Sequence, residues 1–188
     1  MKRFWRYLTK ALSASVALGL LVVSPAYAVD LTGNTVVAEG HQVVVKRNMS
    51  RESVTWRIEV YFGKAGNRFI YVHKENAVGT TNFIDSYDRI LIPVGKNKAI
   101  KWRKDGKFAA DIRLEQSDDA LKVSLLSRGK DTRHANETFI WLIGINSTGC
   151  KLQDYKYVPD PGLSYFSVKA TEGICTLTRG VPDGLADQ

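Results

Sequence analysis

Apolar and polar residues alternate without a break along one stretch of the chain: Val54, Trp56, Ile58, Val60 and Phe62 fall between Thr55, Arg57, Glu59 and Tyr61. A period of two places the first set on one face of a β-strand and the second on the other. A helix cannot hold that pattern, because at about 3.6 residues per turn the apolar positions would circle the axis. One dry face and one wet face suit a strand in an antiparallel sheet covered on a single side. The chain must therefore supply a second layer to bury the dry row.

Other strand-like runs follow. Residues 43–45, 69–72 and 90–94 are β-branched or aromatic and are bounded by Gly, Asn, Asp and Lys. Pro93 offers no N–H, so its strand ends there or lies at an edge. Residues 139–145 are apolar on both faces, which predicts a strand covered on each side.

Two connections can be set in register by their apolar rows. Ile100 and Trp102 alternate with Lys101 and Arg103, while Phe108, Ala110, Ile112 and Leu114 alternate with Ala109, Asp111 and Arg113. A two-residue loop would set Trp102 opposite Ala109 and turn the two apolar rows to opposite faces. A three-residue loop, Lys104-Asp105-Gly106, sets Trp102 opposite Phe108 and Ile100 opposite Ala110. Burial selects register, so the longer loop is predicted, with Gly106 left-handed. A four-residue loop over 116–119 then sets Leu114 opposite Leu121, Ile112 opposite Val123 and Ala110 opposite Leu125. Three strands would share one apolar face. Near the end of the chain, a turn at Glu172-Gly173 would set Ala170 against Cys175 and Val168 against Leu177. Turns are also expected at 146–149 and 159–162. No helical period is sustained after residue 28. The predicted fold is all-β: an antiparallel β-sandwich, with a barrel of roughly eight to ten strands as the alternative.

The N-terminus has a different character. Lys2, Arg3, Arg6 and Lys10 precede an apolar run over 11–23, then Ser24-Pro25 and Ala26-Tyr27-Ala28. A charged start, a short apolar middle and an A-x-A site predict a cleavable export signal over 1–28, cut after Ala28. The apolar run is shorter than the roughly 20 residues that span a bilayer. A single β domain is expected over 29–180, followed by a loose tail at 181–188. The signal takes four of the 27 basic residues and none of the 19 acidic ones, so the net +8 of the chain falls to +4. That modest excess argues against a nucleic-acid partner. Export would place Cys150 and Cys175 where disulfides persist, and two cysteines allow one bridge. Closing that loop is worth about 3.5 kcal/mol in the chain-entropy model.

Catalytic strings are sparse. His41, His73 and His134 lie in separate segments, so no metal site is expected. Ser127 to Lys130 spells S-x-x-K, but that motif works on a helix and here it ends a strand. Asp85 with Asp88, and Asp118 with Asp119, sit where Asp serves turns. No glycine string for phosphate or dinucleotide binding is present, and no cofactor is expected.

Two groups suggest binding. Lys96, Lys98, Lys101, Arg103, Lys104 and Lys107 crowd one hairpin against Asp105. They suit an anionic partner, or an edge kept soluble by lysine. Tyr155, Tyr157, Tyr165 and Phe166 flank the 159–162 turn, where aromatic rings could serve recognition or the core. The leading expectation is a periplasmic or secreted, non-enzymatic binding module that contacts a protein or an anionic envelope component. Two alternatives are a barrel carrying an apolar small molecule or lipid, lined by Trp56, Trp102 and Trp141, and a hydrolase with a dispersed site.

Overall fold

The computed structural model describes residues 29–46, 49, 51–78, 81–102, 106, 108–129, 137–158 and 165–181. The export signal expected over 1–28, the turn at 159–162 and most of the tail lie outside the described residues. The alternating segments form ten strands: β1 (Asn34–Lys46), β2 (Arg51–Phe62), β3 (Arg68–Val78), β4 (Thr81–Ile92), β5 (Lys98–Trp102), β6 (Phe108–Gln116), β7 (Ala120–Gly129), β8 (Glu137–Asn146), β9 (Gly149–Val158) and β10 (Tyr165–Arg179). They make two antiparallel sheets, ordered β10-β1-β2-β3-β4 and β5-β6-β7-β8-β9. The sheets face each other and do not close into a barrel, so the sandwich is the architecture.

The inner rows are those the alternation marked. Trp56, Ile58, Val60 and Phe62 of β2 meet Ile112, Leu114, Leu121, Val123, Leu125, Trp141 and Ile143 of the second sheet in one core. Burying a large apolar side chain is worth about 1.5–3 kcal/mol, which is why these rows set the pairing. Ile92 ends β4 just before Pro93, and β4 is an edge, so both readings of that proline hold. Cys150 in β9 and Cys175 in β10 stand at disulfide distance, with Cα atoms 5.6 Å apart. The bridge ties one sheet to the other across the β9–β10 connection.

Four local expectations are corrected. The β5–β6 pair takes the register that was set aside: Trp102 lies opposite Ala109, Lys101 opposite Ala110 and Ile100 opposite Asp111. Gly106 is left-handed all the same, with φ 64°. β5 is the outermost strand of its sheet, and only Ala99 packs against the core from it. An edge strand with one core-packed residue exerts too little burial to dictate register. β6 and β7 share the predicted face, but Leu114 lies opposite Val123 and Ile112 opposite Leu125. The loop is tighter by two residues, and an even shift preserves the face. The segment around Glu172-Gly173 is not a hairpin. β10 runs straight through it and pairs along its length with β1, so Cys175 lies opposite Ala38 and Leu177 opposite Val36. A second long apolar strand outcompetes a local turn. Finally, β8 is fully buried on one face only: Phe139, Trp141, Ile143 and Ile145 are buried, while Ile140 and Leu142 are partly buried on the outside.

Candidate functional site

The register of β5 decides what its edge presents. Ile100 and Trp102 project from the outer face of the second sheet and are 65% and 55% exposed. Lys98 shares that face, and Lys101 stands exposed on the other. Neither lysine has a carboxylate partner among the described residues. Asp111, the acid nearest in register, is bound to Arg128. One strand edge thus combines two large apolar side chains, two cations and a row of backbone groups beyond which no strand lies among the described residues. Arg103, Lys104 and Lys107, the rest of the basic hairpin, lie outside the described residues.

The aromatic group is not assembled at the surface. Tyr155 and Tyr157 alternate inward from β9 and are buried. Tyr155 stacks on Trp56 at 4.5 Å between ring centroids and leans on Trp141 at 5.7 Å. Tyr157 stacks on Phe139 at 5.0 Å and donates a hydrogen bond of 2.6 Å to Glu137. A surface partner meets neither ring. Tyr165 opens β10 opposite Lys46. Burial pushes the Tyr155 phenol well above its ordinary value, and the negative charge of Glu137 adds to the shift. Its hydroxyl, the indole N–H groups of Trp56 and Trp141, and both ends of the Gln42 amide are buried without hydrogen-bond partners. Trp56 and Trp141 pack on each other at 6.0 Å, whereas Trp102 faces outward. The three tryptophans do not line one space.

Two features escaped sequence reasoning. The first lies on the outer face of β2 and β3, which the alternation marked as wet. Glu59 is only 1% exposed there. Its Oε1 accepts from Arg57 Nε at 2.6 Å, while Arg57 Nη1 reaches Glu39 at 2.6 Å. Burial works against the Arg57 charge, but its hydrogen bonds to Glu59 and Glu39 outweigh it, so the guanidinium holds its proton more firmly than usual. Tyr61 stacks near Phe69 and Tyr71 near His73 on the same face. The pairing Tyr61 with Phe69 follows from the turn at Gly63–Asn67. Knowing that turn would have aligned the aromatic row.

The second is a cleft of about 350 Å³ at the end of the sandwich, lined by Arg68, Lys96, Asn97, Leu114, Glu115 and Gln116. A smaller hollow of about 140 Å³ adjoins it and shares Arg68 and Gln116. The cue in the sequence is that Arg68 and Gln116 continue the inward rows of Ile70 and Leu114. Polar side chains at core-facing positions mark the rim of the core. Neither hollow holds a His or Ser, and Asp30 is the one Asp among their lining residues. Among the described residues no three of His, Cys, Asp and Glu are grouped to hold a metal ion, and no helix is long and apolar enough to cross a membrane.

Among the described residues these features make a disulfide-linked, ten-stranded antiparallel sandwich with aromatic rings stacked in its interior and an apolar, basic edge. No protein-family model matches the chain, and neither a curated protein nor a solved structure matches it.

Proposed function

We propose that this chain is an exported, non-enzymatic binding module, and that the β5 edge is its contact surface. The partner is a protein segment that lies along β5 and carries both apolar and acidic side chains. The observation that carries this reading is the outward register of Ile100 and Trp102 beside Lys98 and Lys101. Large apolar residues on an outer strand risk unwanted pairing, which proteins commonly prevent by charge, proline, bulges or a covering segment. Tryptophan is also the residue most enriched where binding energy concentrates. An extended partner would gain main-chain hydrogen bonds from the free edge and specificity from alternate side chains. The cationic pair would speed encounter with an acidic segment. The chain's leader-like N-terminus and its cysteine bridge both favour a periplasmic or secreted site of action.

The test is affinity capture from a periplasmic and outer-membrane extract at low salt, followed by stepwise salt elution. Wild type, Trp102→Ser and Lys98→Glu/Lys101→Glu are run in parallel. The reading expects one stoichiometric protein on wild type, released at moderate salt, and lost from both variants. Equal capture by all three would remove the β5 edge from the argument. Capture of lipopolysaccharide in place of protein would replace the proposed partner with an envelope polymer.

A further inference from the structure

We infer that the cleft at the end of the sandwich is a binding site for a phosphate monoester. Its lining draws on β3 of one sheet and β6 of the other, and includes the buried Leu114. Arg68 belongs to the inward row of β3, in line with Phe62 and Ile92 on the neighbouring strands, which are both buried. Its Nη1 donates to the Lys96 carbonyl oxygen at 3.3 Å, which steadies the guanidinium at the rim. Gln116, from the other sheet, is steadied by its bond to the Val29 carbonyl in the segment before β1, at 3.4 Å. The Asn97 carbonyl accepts from the Leu114 N–H at 2.8 Å, so the β4–β5 loop that carries Lys96 is pinned to the cleft wall.

The charges around this space do not balance internally. Glu115 is the one acid in the lining, and it is engaged by Lys122 at 3.1 Å and Arg113 at 3.8 Å. Arg68 and Lys96 have no carboxylate partner among the described residues. Two basic and two amide-bearing residues therefore line a volume within the usual range for small-ligand sites. Arginine presents a planar fork that fits two oxygens of one anion, and lysine adds a point charge. Two positive charges match a dianion better than a monoanion. A phosphate monoester carries close to two negative charges at neutral pH. A carboxylate carries one. The site is separate from the outer face of β5, although Lys96 and Asn97 lead directly into that strand.

The probe is glycerol phosphate, titrated into the purified chain at constant ionic strength and followed by backbone amide shifts in NMR. Acetate serves as the monoanion control. Saturable shifts should centre on residues 96–97 and 114–116. Affinity should fall at least tenfold in Lys96→Gln and in Arg68→Gln, and stay unchanged in Lys151→Gln, an exposed lysine on β9. Because Lys96 is exposed, its variant keeps the test valid even if Arg68→Gln folds poorly. Absence of saturation at tens of millimolar, or equal affinity in Lys96→Gln, overturns the site. Acetate binding as tightly as glycerol phosphate overturns the dianion assignment. Co-sedimentation with phosphatidic-acid vesicles separates the two sources of the same group. Binding to vesicles that Lys96→Gln abolishes assigns a lipid headgroup, whereas binding of glycerol phosphate alone assigns a soluble ester.

Discussion

The outer faces of the two sheets depart from the same alternation in opposite directions. On the first sheet, positions that should be wet are covered: Glu59 is buried, held by Arg57, with Tyr61 next to it on the same face of β2 and Tyr71 opposite it on β3. On the second, positions that should be dry are bare: Ile100 and Trp102 stand in solvent. The difference lies in strand position. β2 has neighbours on both sides, so its outer side chains are flanked by those of β1 and β3 and can be covered without a second layer. β5 has one neighbour and contributes little to the core, so its register is free to follow the turn. A buried charge and an exposed tryptophan are thus two results of the same rule: burial governs side chains only where enough neighbours surround them.

The comparison can be broken most forcefully from the core that both sheets share. Trp141→Ala should cost about 3–5 kcal/mol in urea denaturation, since it empties the centre of the stack with Trp56, Phe139 and Tyr155. A loss below 1 kcal/mol would mean the sheets are not held by this cluster. On the outer face of the first sheet, Glu59→Ala should cost about 1–3 kcal/mol, against about 0–1 for Glu39→Ala. Both carboxylates bind Arg57, but Glu39 is 40% exposed and Glu59 is 2% by side chain. Equal losses would deny that coverage distinguishes them.

Tyr155 sharpens the interior side of the contrast. Its phenol is raised in the folded state, so the unfolded chain releases that proton first as pH climbs. Its contribution is fully present below the unfolded value of about 10, and stability is lost above it by about 1.4 kcal/mol per pH unit until the folded group titrates. Subtracting Tyr155→Phe from wild type should isolate that slope. At pH 7 the variant should be neutral or slightly stabilising, because the hydroxyl has no partner. A variant with the same alkaline slope as wild type would contradict the burial. The smallest effect belongs to the edge. Trp102→Ser should change stability by less than about 0.5 kcal/mol. A loss of about 3 kcal/mol would show that Trp102 faces the core after all, in the register the alternation alone preferred.

Much of the fold was legible because β2, β6 and β7 alternate over lengths that leave one way to bury their rows. Their inward faces, the cysteine pair, the end of β4 and the left-handed Gly106 follow from local chemistry. The C-terminal segment was misread because Glu172-Gly173 is a good turn in isolation, and β1 is far away in the chain. The proposed contact edge was half legible. Lysines marked the β4–β5 region, but the apolar half of the edge depended on a register that no local pattern dictates. The cleft was less legible still, since Arg68 and Gln116 belong to different sheets and each reads as an ordinary strand end.

Residue order by itself determined that this chain builds strands, which rows β2, β6 and β7 bury and that its two cysteines allow one bridge. Those are consequences of backbone geometry and of the period of two. Tertiary structure decided the partner of each strand, the side on which Trp102 emerges and the meeting of Arg68 with Gln116. Such choices depend on competition among distant segments for the same neighbours, and its outcome is settled by total burial across both sheets.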